Sequence, residues 1–434
     1  MADRRVTHTG RNAEGDITGL CNPNADWYSR LTAAAVADIE SGTHSYYVQG
    51  AGGRTPISVV DGPHGKYLRT AANTASADNL DDLPTCQPLS EVLLSDVPIR
   101  LLWEANSSST DLGTVEGKLR GFADRLYDCT DGQWRIGRLL IHDDRSELAP
   151  NGTGVGHIHR TDTHGAHGHA DGRPNNPEHW EVNESSSVGT YLMEFLHSWT
   201  GLKDEYEVSQ GGARTNCPAS TADRDSSSAC VMDDTYGTPT ELCRADLHNT
   251  NTEQGNVRGM DCYSWLVKVM DDAGYYGFQV PSRHVPGPTA APTLRFVYLT
   301  IQNVTQIDDP DPGLFQGTGD YYVRVRMGGA GFTKSKHRDD ATNVSPNWLF
   351  GLGFSSAKHQ KIPLRIEIWD HDSLSGDDLC DVSPIDGKSR LDFTYDTSTG
   401  KILGDVNGMR DVPISVQGAG DSDRVRTTFV VTSR

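Results

Sequence analysis

Hydrophobic and polar positions change period three times along this chain. In residues 1–86, a short β-like run at 6–20 precedes a segment, 26–40, whose apolar Leu31, Ala34, Val36 and Ile39 predict a helix, and the alternating runs 45–48 and 57–60 predict a hairpin. In residues 87–278, an apolar run at 97–103 is followed by Val115, Leu119, Phe122, Ala123 and Leu126 in helical spacing, then by a partly alternating run at 134–141. That order predicts a strand, a helix and a second strand. Residues 260–270, with Trp265, Leu266 and Val269 on one face, predict a closing helix. Residues 279–293 hold Pro281, Pro286, Pro288 and Pro292 and read as a linker. Beyond it, residues 294–434 alternate apolar and polar positions in short runs at 294–301, 321–327, 364–369 and 427–431, the pattern of an antiparallel β-sandwich. The fold class expected is therefore α+β and multidomain: a small α/β module, a larger α/β domain and a sandwich.

Chemistry concentrates in the stretch V-G-T-Y-L-M-E-F-L-H-S-W-T-G-L-K-D-E-Y, residues 188–206. On a helix, Met193, Glu194 and His197 fall on adjoining parts of one face, because positions i and i+4 lie one above the other. Gly201 can then end the helix in a left-handed turn and swing Asp204 back toward His197. A histidine in place of Met193 would complete H-E-x-x-H, two zinc ligands with a Glu as general base.

At these residues the sequence resembles the metallopeptidase domain of calcium-activated chloride channel regulators, whose signature is H-E-x-x-H-x-x-x-G-x-x-D-E. The resemblance implies a zincin-like domain over residues 87–278, with His197 and Asp204 as zinc ligands and Glu194 as catalytic base. Met193 stands where the first ligand belongs, and a thioether is a soft, neutral donor poorly matched to Zn²⁺. Zinc is accordingly expected to be weak or absent there. Met232, in A-C-V-M-D, falls where related metalloproteases place a methionine turn beneath the metal. The segments T-E-L-C, H-N and C-Y-S-W farther on resemble the corresponding parts of secreted zincin-like domains. Residues 178–182 are expected to form the edge strand along which a peptide would pair.

Two further groupings bear on metals. His157, His159, His164, His167 and His169 crowd into thirteen residues, a composition suited to an extra metal site or to a loop that replaces the missing ligand; a polar insertion is the plainer reading. Four of the eight cysteines, Cys217, Cys230, Cys243 and Cys262, follow the zincin motif closely. With no C-x-x-C pair, disulfides or buried thiols are expected rather than a cysteine-bound zinc.

The N-terminal residues, including S-Y-Y-V at 45–48 and Y-L-R-T at 67–70, resemble a small domain family of unknown function, which implies no chemistry. The C-terminal region resembles C2 domains at G-D-Y-Y-V-R-V, residues 319–325, at S-P-N-W, residues 345–348, and at I-E-I-W-D-H-D, residues 366–372. That resemblance implies Ca²⁺ held by Asp320, Asp370, Asp372 and Asp378 and a phospholipid surface as partner. Hard Ca²⁺ takes oxygen donors, and a D-x-D turn supplies several. The first loop is longer than usual and offers Asp308, Asp309 and Asp311.

A balance of 39 basic against 59 acidic residues, net −20, argues against nucleic acid as a partner. The opening M-A-D-R-R-V-T-H-T-G has no apolar core of a signal peptide, and no run is long enough to span a membrane. The expected location is either cytoplasmic or extracellular by a leaderless route. Three functions fit: a peptidase-like protein whose impaired cleft binds a peptide or protein, an active zinc endopeptidase with a replacement ligand, and a structural or adhesion protein.

Overall fold

The computed structural model describes residues 2–11, 17–22, 29–50, 53–62, 65–70, 80–84, 93–102, 109–130, 132–143, 154–160, 166–168, 172–205, 230–232, 241–245, 248, 252–273, 278, 280, 294–308, 319–339, 342–355, 360–372 and 376–434. The first module holds β1 (Ala2–Val6), β2 (His8–Arg11), β3 (Ile17–Cys21), β4 (Ser29–Leu31), α1 (Thr32–Ser41), β5 (His44–Gly50), β6 (Gly53–Gly62) and β7 (Gly65–Thr70). The expected hairpin is β5 and β6, antiparallel with Tyr47 opposite Pro56. β1 adds to it in parallel and β7 closes the other side, giving the order β1-β5-β6-β7. The helix begins at Thr32 rather than near Asp26, since Ser29–Leu31 pairs with β3 instead. Val6, Leu20, Val36, Tyr46, Val48 and Leu68 form this module's own core.

The central elements are β8 (Leu93–Leu102), α2 (Ser109–Cys129), β9 (Trp134–Asp143), β10 (Gly156–His159), β11 (His167–Gly168), β12 (Trp180–Asn183), α3 (Val188–Thr200), α4 (Glu253–Arg258) and α5 (Cys262–Asp272). β8, β9, β10 and β12 run parallel, as strands joined by helical crossovers do. α2 and α3 cover one face of this sheet. They cross so closely that a Cβ on Gly121 would lie 2.9 Å from a Val188 methyl. Between helices and sheet, Phe122, Trp134, Trp180, Phe195 and Trp199 stack and tilt against one another, with centroids 5.0–6.3 Å apart. Aromatic pairs at such spacing add stabilisation beyond the area they bury.

The C-terminal strands are β13 (Leu294–Gln306), β14 (Tyr321–Met327), β15 (Phe332–Lys334), β16 (Asn343–Val344), β17 (Trp348–Ser355), β18 (Lys361–Asp370), β19 (Asp378–Cys380), β20 (Leu391–Asp396), β21 (Lys401–Gly404), β22 (Gly408–Met409), β23 (Ile414–Gln417) and β24 (Val425–Ser433). All their pairings with one another are antiparallel, as the alternation predicts. One layer is the seven-stranded sheet built around β14, β18 and β20. The other does not stop at the sandwich. β17 pairs antiparallel with β9 from Phe354 opposite Arg138 to Leu349 opposite Asp143. A single ten-stranded sheet therefore runs β11-β12-β10-β8-β9-β17-β13-β24-β23, with β16 on β13. Leu139 and Ile141 face the helices, whereas Leu140 packs with Phe350 and Leu352 against the second sheet. Gly351 and Gly353 permit this seam: Cβ atoms there would lie 2.7 Å from the Tyr298 ring and 2.8 Å from the Phe296 ring. Among the described residues no helix is long and apolar enough to cross a membrane.

Candidate functional site

α3 is set by its ends. Ser187 caps it by accepting from the Thr190 N–H, and Gly201, at φ 66° and ψ 21°, closes it with its N–H donated to the His197 carbonyl. Only glycine takes this left-handed conformation without cost, and here it reverses the chain. The reversal brings Asp204 Oδ1 to 3.1 Å from His197 Nε2. His197 Nδ1 lies 2.6 Å from the Leu202 carbonyl, an acceptor that fixes the proton on Nδ1. Burial pulls the imidazole pKa down, but Asp204, Glu194 and the Leu202 carbonyl outweigh it and hold the pKa above its ordinary value. Glu194 is buried beside it, and Met193, on the turn before His197, is buried in the core.

The bend is tied at nearly every residue by segments some fifty residues away. Trp265 Nε1 donates to the Thr200 carbonyl at 2.9 Å, and Arg258 donates to the Gly201 carbonyl at 2.9 and 3.2 Å while stacking on Trp265. Gln254 Oε1 accepts from the Lys203 N–H at 2.8 Å, and the Gln254 N–H donates to the Asp204 carbonyl at 3.0 Å. Met232, fully buried, accepts the Glu205 N–H at its carbonyl at 3.0 Å, so the turn that holds it is tied to the bend. Gln254 and Arg258 carry no motif of their own, and Trp265 stood out only within the C-Y-S-W segment, so the contacts that tie them to the bend were invisible to local spacing.

The donor set fits zinc poorly. His197 and Asp204 supply a nitrogen and an oxygen from a rigid bend, but the third position on the helix offers only a thioether. A cavity of about 750 Å³ lies elsewhere, where Asp96, Arg138, Trp199, Leu352 and Pro363 meet at the seam; none of Met193, Glu194, His197 and Asp204 lines it.

The expected edge strand is corrected. Residues 178–182 overlap β12, which lies inside the sheet between β10 and β11; the edge is the antiparallel β11. β11 rests on α3: a Cβ on Gly168 would lie 2.4 Å from the Glu194 carbonyl and 3.0 Å from His197 Cβ. The histidine run is described in part. His157 and His159 lie on β10, where they and His179 face Glu181 at 3.5, 3.1 and 3.9 Å, on the sheet face away from α3. Burial lowers the His157 pKa despite that carboxylate. His167 falls on β11 beside the site, and His164 and His169 lie outside the described residues.

Both expected cysteine states, disulfide and buried thiol, occur. Cys21 is disulfide-bonded. Cys217 lies outside the described residues, but Cys230, Cys243 and Cys262 are fully buried thiols that converge, although no C-x-x-C spacing brings them together.

At the loop end of the sandwich, the Asp320 N–H donates to Asp370 Oδ1 at 2.5 Å and the Asp320 carbonyl accepts from the His371 N–H at 3.0 Å. Asp378 starts β19 opposite Asp370, and Asp372 follows β18. Among the described residues no three of these carboxylates bring oxygens within 4.8 Å of one another. Asp309 and Asp311 lie outside the described residues, while Asp308 accepts from Arg424 at 2.5 and 2.9 Å. Asp377, beside Asp378, accepts from the Tyr322 hydroxyl at 2.6 Å and faces His371 Nδ1 at 2.9 Å. The Tyr322 hydroxyl and His371 hold its carboxyl down at about 2.

Residues 4–84 match the family described as a protein of unknown function, DUF3892, and residues 294–397 match the C2 domain. The chain is thus a multidomain, strand-rich protein with a C2 domain near its C-terminus and a DUF3892 module at its start. No curated protein matches it. Among solved structures, it is similar to human GIVD cytosolic phospholipase A2 in complex with methyl gamma-linolenyl fluorophosphonate, at 18% identity over 33% of this chain and 18% of that one, with a TM-score of 0.21. It is also similar to the C2A domain of plant Extended Synaptotagmin 1, at 12% identity over 32% of this chain and 93% of that one, TM-score 0.22. A third is calcium-bound Extended-Synaptotagmin 2, C2A and C2B domains, at 13% identity over 32% and 45%, TM-score 0.23. The chain spans less than a fifth of the phospholipase.

Proposed function

We propose that the central domain is a zincin-type metallopeptidase domain that has lost its peptidase chemistry and uses the cleft beside α3 to bind a peptide or protein. One observation carries the reading. His197 Nε2 and Asp204 Oδ1 converge at 3.1 Å across the Gly201 bend, beside buried Glu194, while the remaining ligand position on the helix is Met193. In this proposal the helix and bend keep two donors of a former metal site and Met193 withholds the third. The strand β11, which ends the sheet order and packs on α3, is in this proposal the strand with which an extended peptide pairs, a mode in which main-chain hydrogen bonds give affinity. The sandwich, in this proposal, takes Ca²⁺ on Asp320, Asp370, Asp372 and Asp378 and carries the cleft to a phospholipid surface.

The test is metal content and cleavage together. Wild-type protein is expected to hold no zinc that depends on His197 and to leave casein intact. Met193→His is expected to gain one zinc per chain and cleavage that Glu194→Gln removes. Wild-type cleavage sensitive to Glu194→Gln would overturn the binding reading. Liposome sedimentation with calcium against chelator tests the sandwich, and equal pelleting in both would remove the calcium claim.

A second reading rests on β11. His167 belongs to β11, which passes α3 at Gly168, and in this reading it supplies the missing donor of an active endopeptidase. In that case wild-type protein holds zinc at the site, and His167→Ala releases it.

A further inference from the structure

Cys230, Cys243 and Cys262 arrive from three separate segments: the turn that carries Met232, the loop before α4, and the first residue of α5. Their Sγ atoms lie within 4.8 Å of one another, and each residue is fully buried. Glu205 and His248 complete the group. Glu205 Oε1 is 3.0 Å from both Cys243 Sγ and Cys262 Sγ, and His248 Nδ1 is 3.2 Å from the same oxygen and 3.6 Å from Cys243 Sγ.

A disulfide accounts for this assembly badly. It would consume two of three sulfurs and leave the third, with a buried carboxylate and imidazole, against an apolar bridge. Two backbone groups point the other way, toward anionic sulfur: the Cys243 N–H donates to Cys230 Sγ at 3.2 Å, and the Cys262 N–H donates to Cys243 Sγ at 3.4 Å. Such outer hydrogen bonds orient and stabilise thiolate ligands. Cys262 also opens α5, where the helix field favours a thiolate. His248 Nε2 is buried with no hydrogen-bond partner among the described residues, so the ring is held from its Nδ1 side alone.

We infer that Cys230, Cys243, Cys262 and Glu205 form a second, structural metal site that takes Zn²⁺, with His248 orienting the Glu205 carboxylate from outside. Tetrahedral Zn²⁺ with sulfur at about 2.3 Å places neighbouring sulfurs roughly 4 Å apart, within the spread found here. Three thiolates select a soft or borderline ion over Ca²⁺ or Mg²⁺. The ion's structural task is legible from the neighbours. Glu205 follows Asp204, and Cys230 is two residues before Met232, so the metal would clamp the bend to the turn beneath it and to α5.

This site is independent of the peptide-binding proposal, and the experiment keeps the two apart. Full-length protein with His197→Ala and Asp204→Ala, which removes the α3 donors, is expected to retain one zinc per chain by elemental analysis. Replacement by Co²⁺ is expected to give the near-ultraviolet thiolate charge-transfer band and tetrahedral visible bands. Glu205→Gln is expected to weaken zinc at least tenfold while the charge-transfer band persists. Zinc also shields the three thiols of wild-type protein from alkylation, a readout that needs no variant to fold. Absence of the Co²⁺ band, or a disulfide among these three cysteines in peptide mapping, would overturn the site.

Discussion

Asp38 shows what a single residue contributes in the first module. Its carboxylate is almost fully buried and accepts from Arg30 at 2.8 and 2.9 Å and from the Tyr46 hydroxyl at 2.5 Å, with Arg4 3.6 Å away. Burial pushes its pKa up, but the Arg30 and Tyr46 hydrogen bonds outweigh that and hold it below the usual carboxylate value. Asp38→Asn leaves Arg30 short of its counter-charge and is expected to cost about 3 kcal/mol, read as faster hydrogen exchange of the β5 amides. The pH dependence has a definite sign. With the folded pKa depressed, the contribution is complete above about pH 4 and fades as pH falls through the lower folded value. The same β5 amides should therefore lose protection on acidification below about pH 4 in wild type and show a weaker dependence in Asp38→Asn. At this scale the sequence was most readable where partners are close along the chain. Met193, Glu194, His197 and Asp204 span twelve residues, and local geometry alone predicted the convergence of the last two. The three cysteines and the Gln254, Arg258 and Trp265 ties join residues tens of positions apart, and nothing in local periodicity specifies such meetings.

Among elements, β11 is the informative one. Two residues long, it carries no alternation that a pattern could register, so the longer run at 178–182 was expected to be the edge in its place. What fixes β11 is contact with α3 through Gly168. Gly168→Ala would set a Cβ 2.4 Å from the Glu194 carbonyl, a backbone atom that cannot turn aside. The variant is expected to lose about 1–3 kcal/mol, as overpacked sites do, and to show faster exchange at β11 with α2 and β9 unchanged. Equal protection in both proteins would mean that the strand is held by β12 alone. The start of α1 went astray for a related reason: residues 29–31 have helix-compatible apolar spacing, but pairing with β3 overrides a local preference. Long, strongly periodic elements such as α2, β9 and α5 fell close to their expected positions.

For the molecule as a whole, the proline-rich stretch led the sequence reading to treat residues 87–278 and 294–434 as bodies joined by a linker. Residues 279–293 lie outside the described residues except Val280, and the β9 and β17 pairing joins the two bodies through the sheet itself. Antiparallel partners so distant in sequence leave no trace in either run, since each strand looks complete alone. Calorimetry of the full chain is expected to show one transition for these two regions together. Gly353→Val would press a branched side chain against Phe296 and Leu139 at the seam and is expected to split that transition into two. Two transitions already present in the wild type would show that the seam does not couple them.

The shared sheet has a bearing on geometry in the cell. If the C2 domain rests on a bilayer, α3 and the bend after it cannot swivel on a tether. Their height and tilt above the lipid are set by a rigid lattice of peptide hydrogen bonds, as a bracket fixes a shelf to a wall. Any chain captured there would be presented at one angle and one standoff.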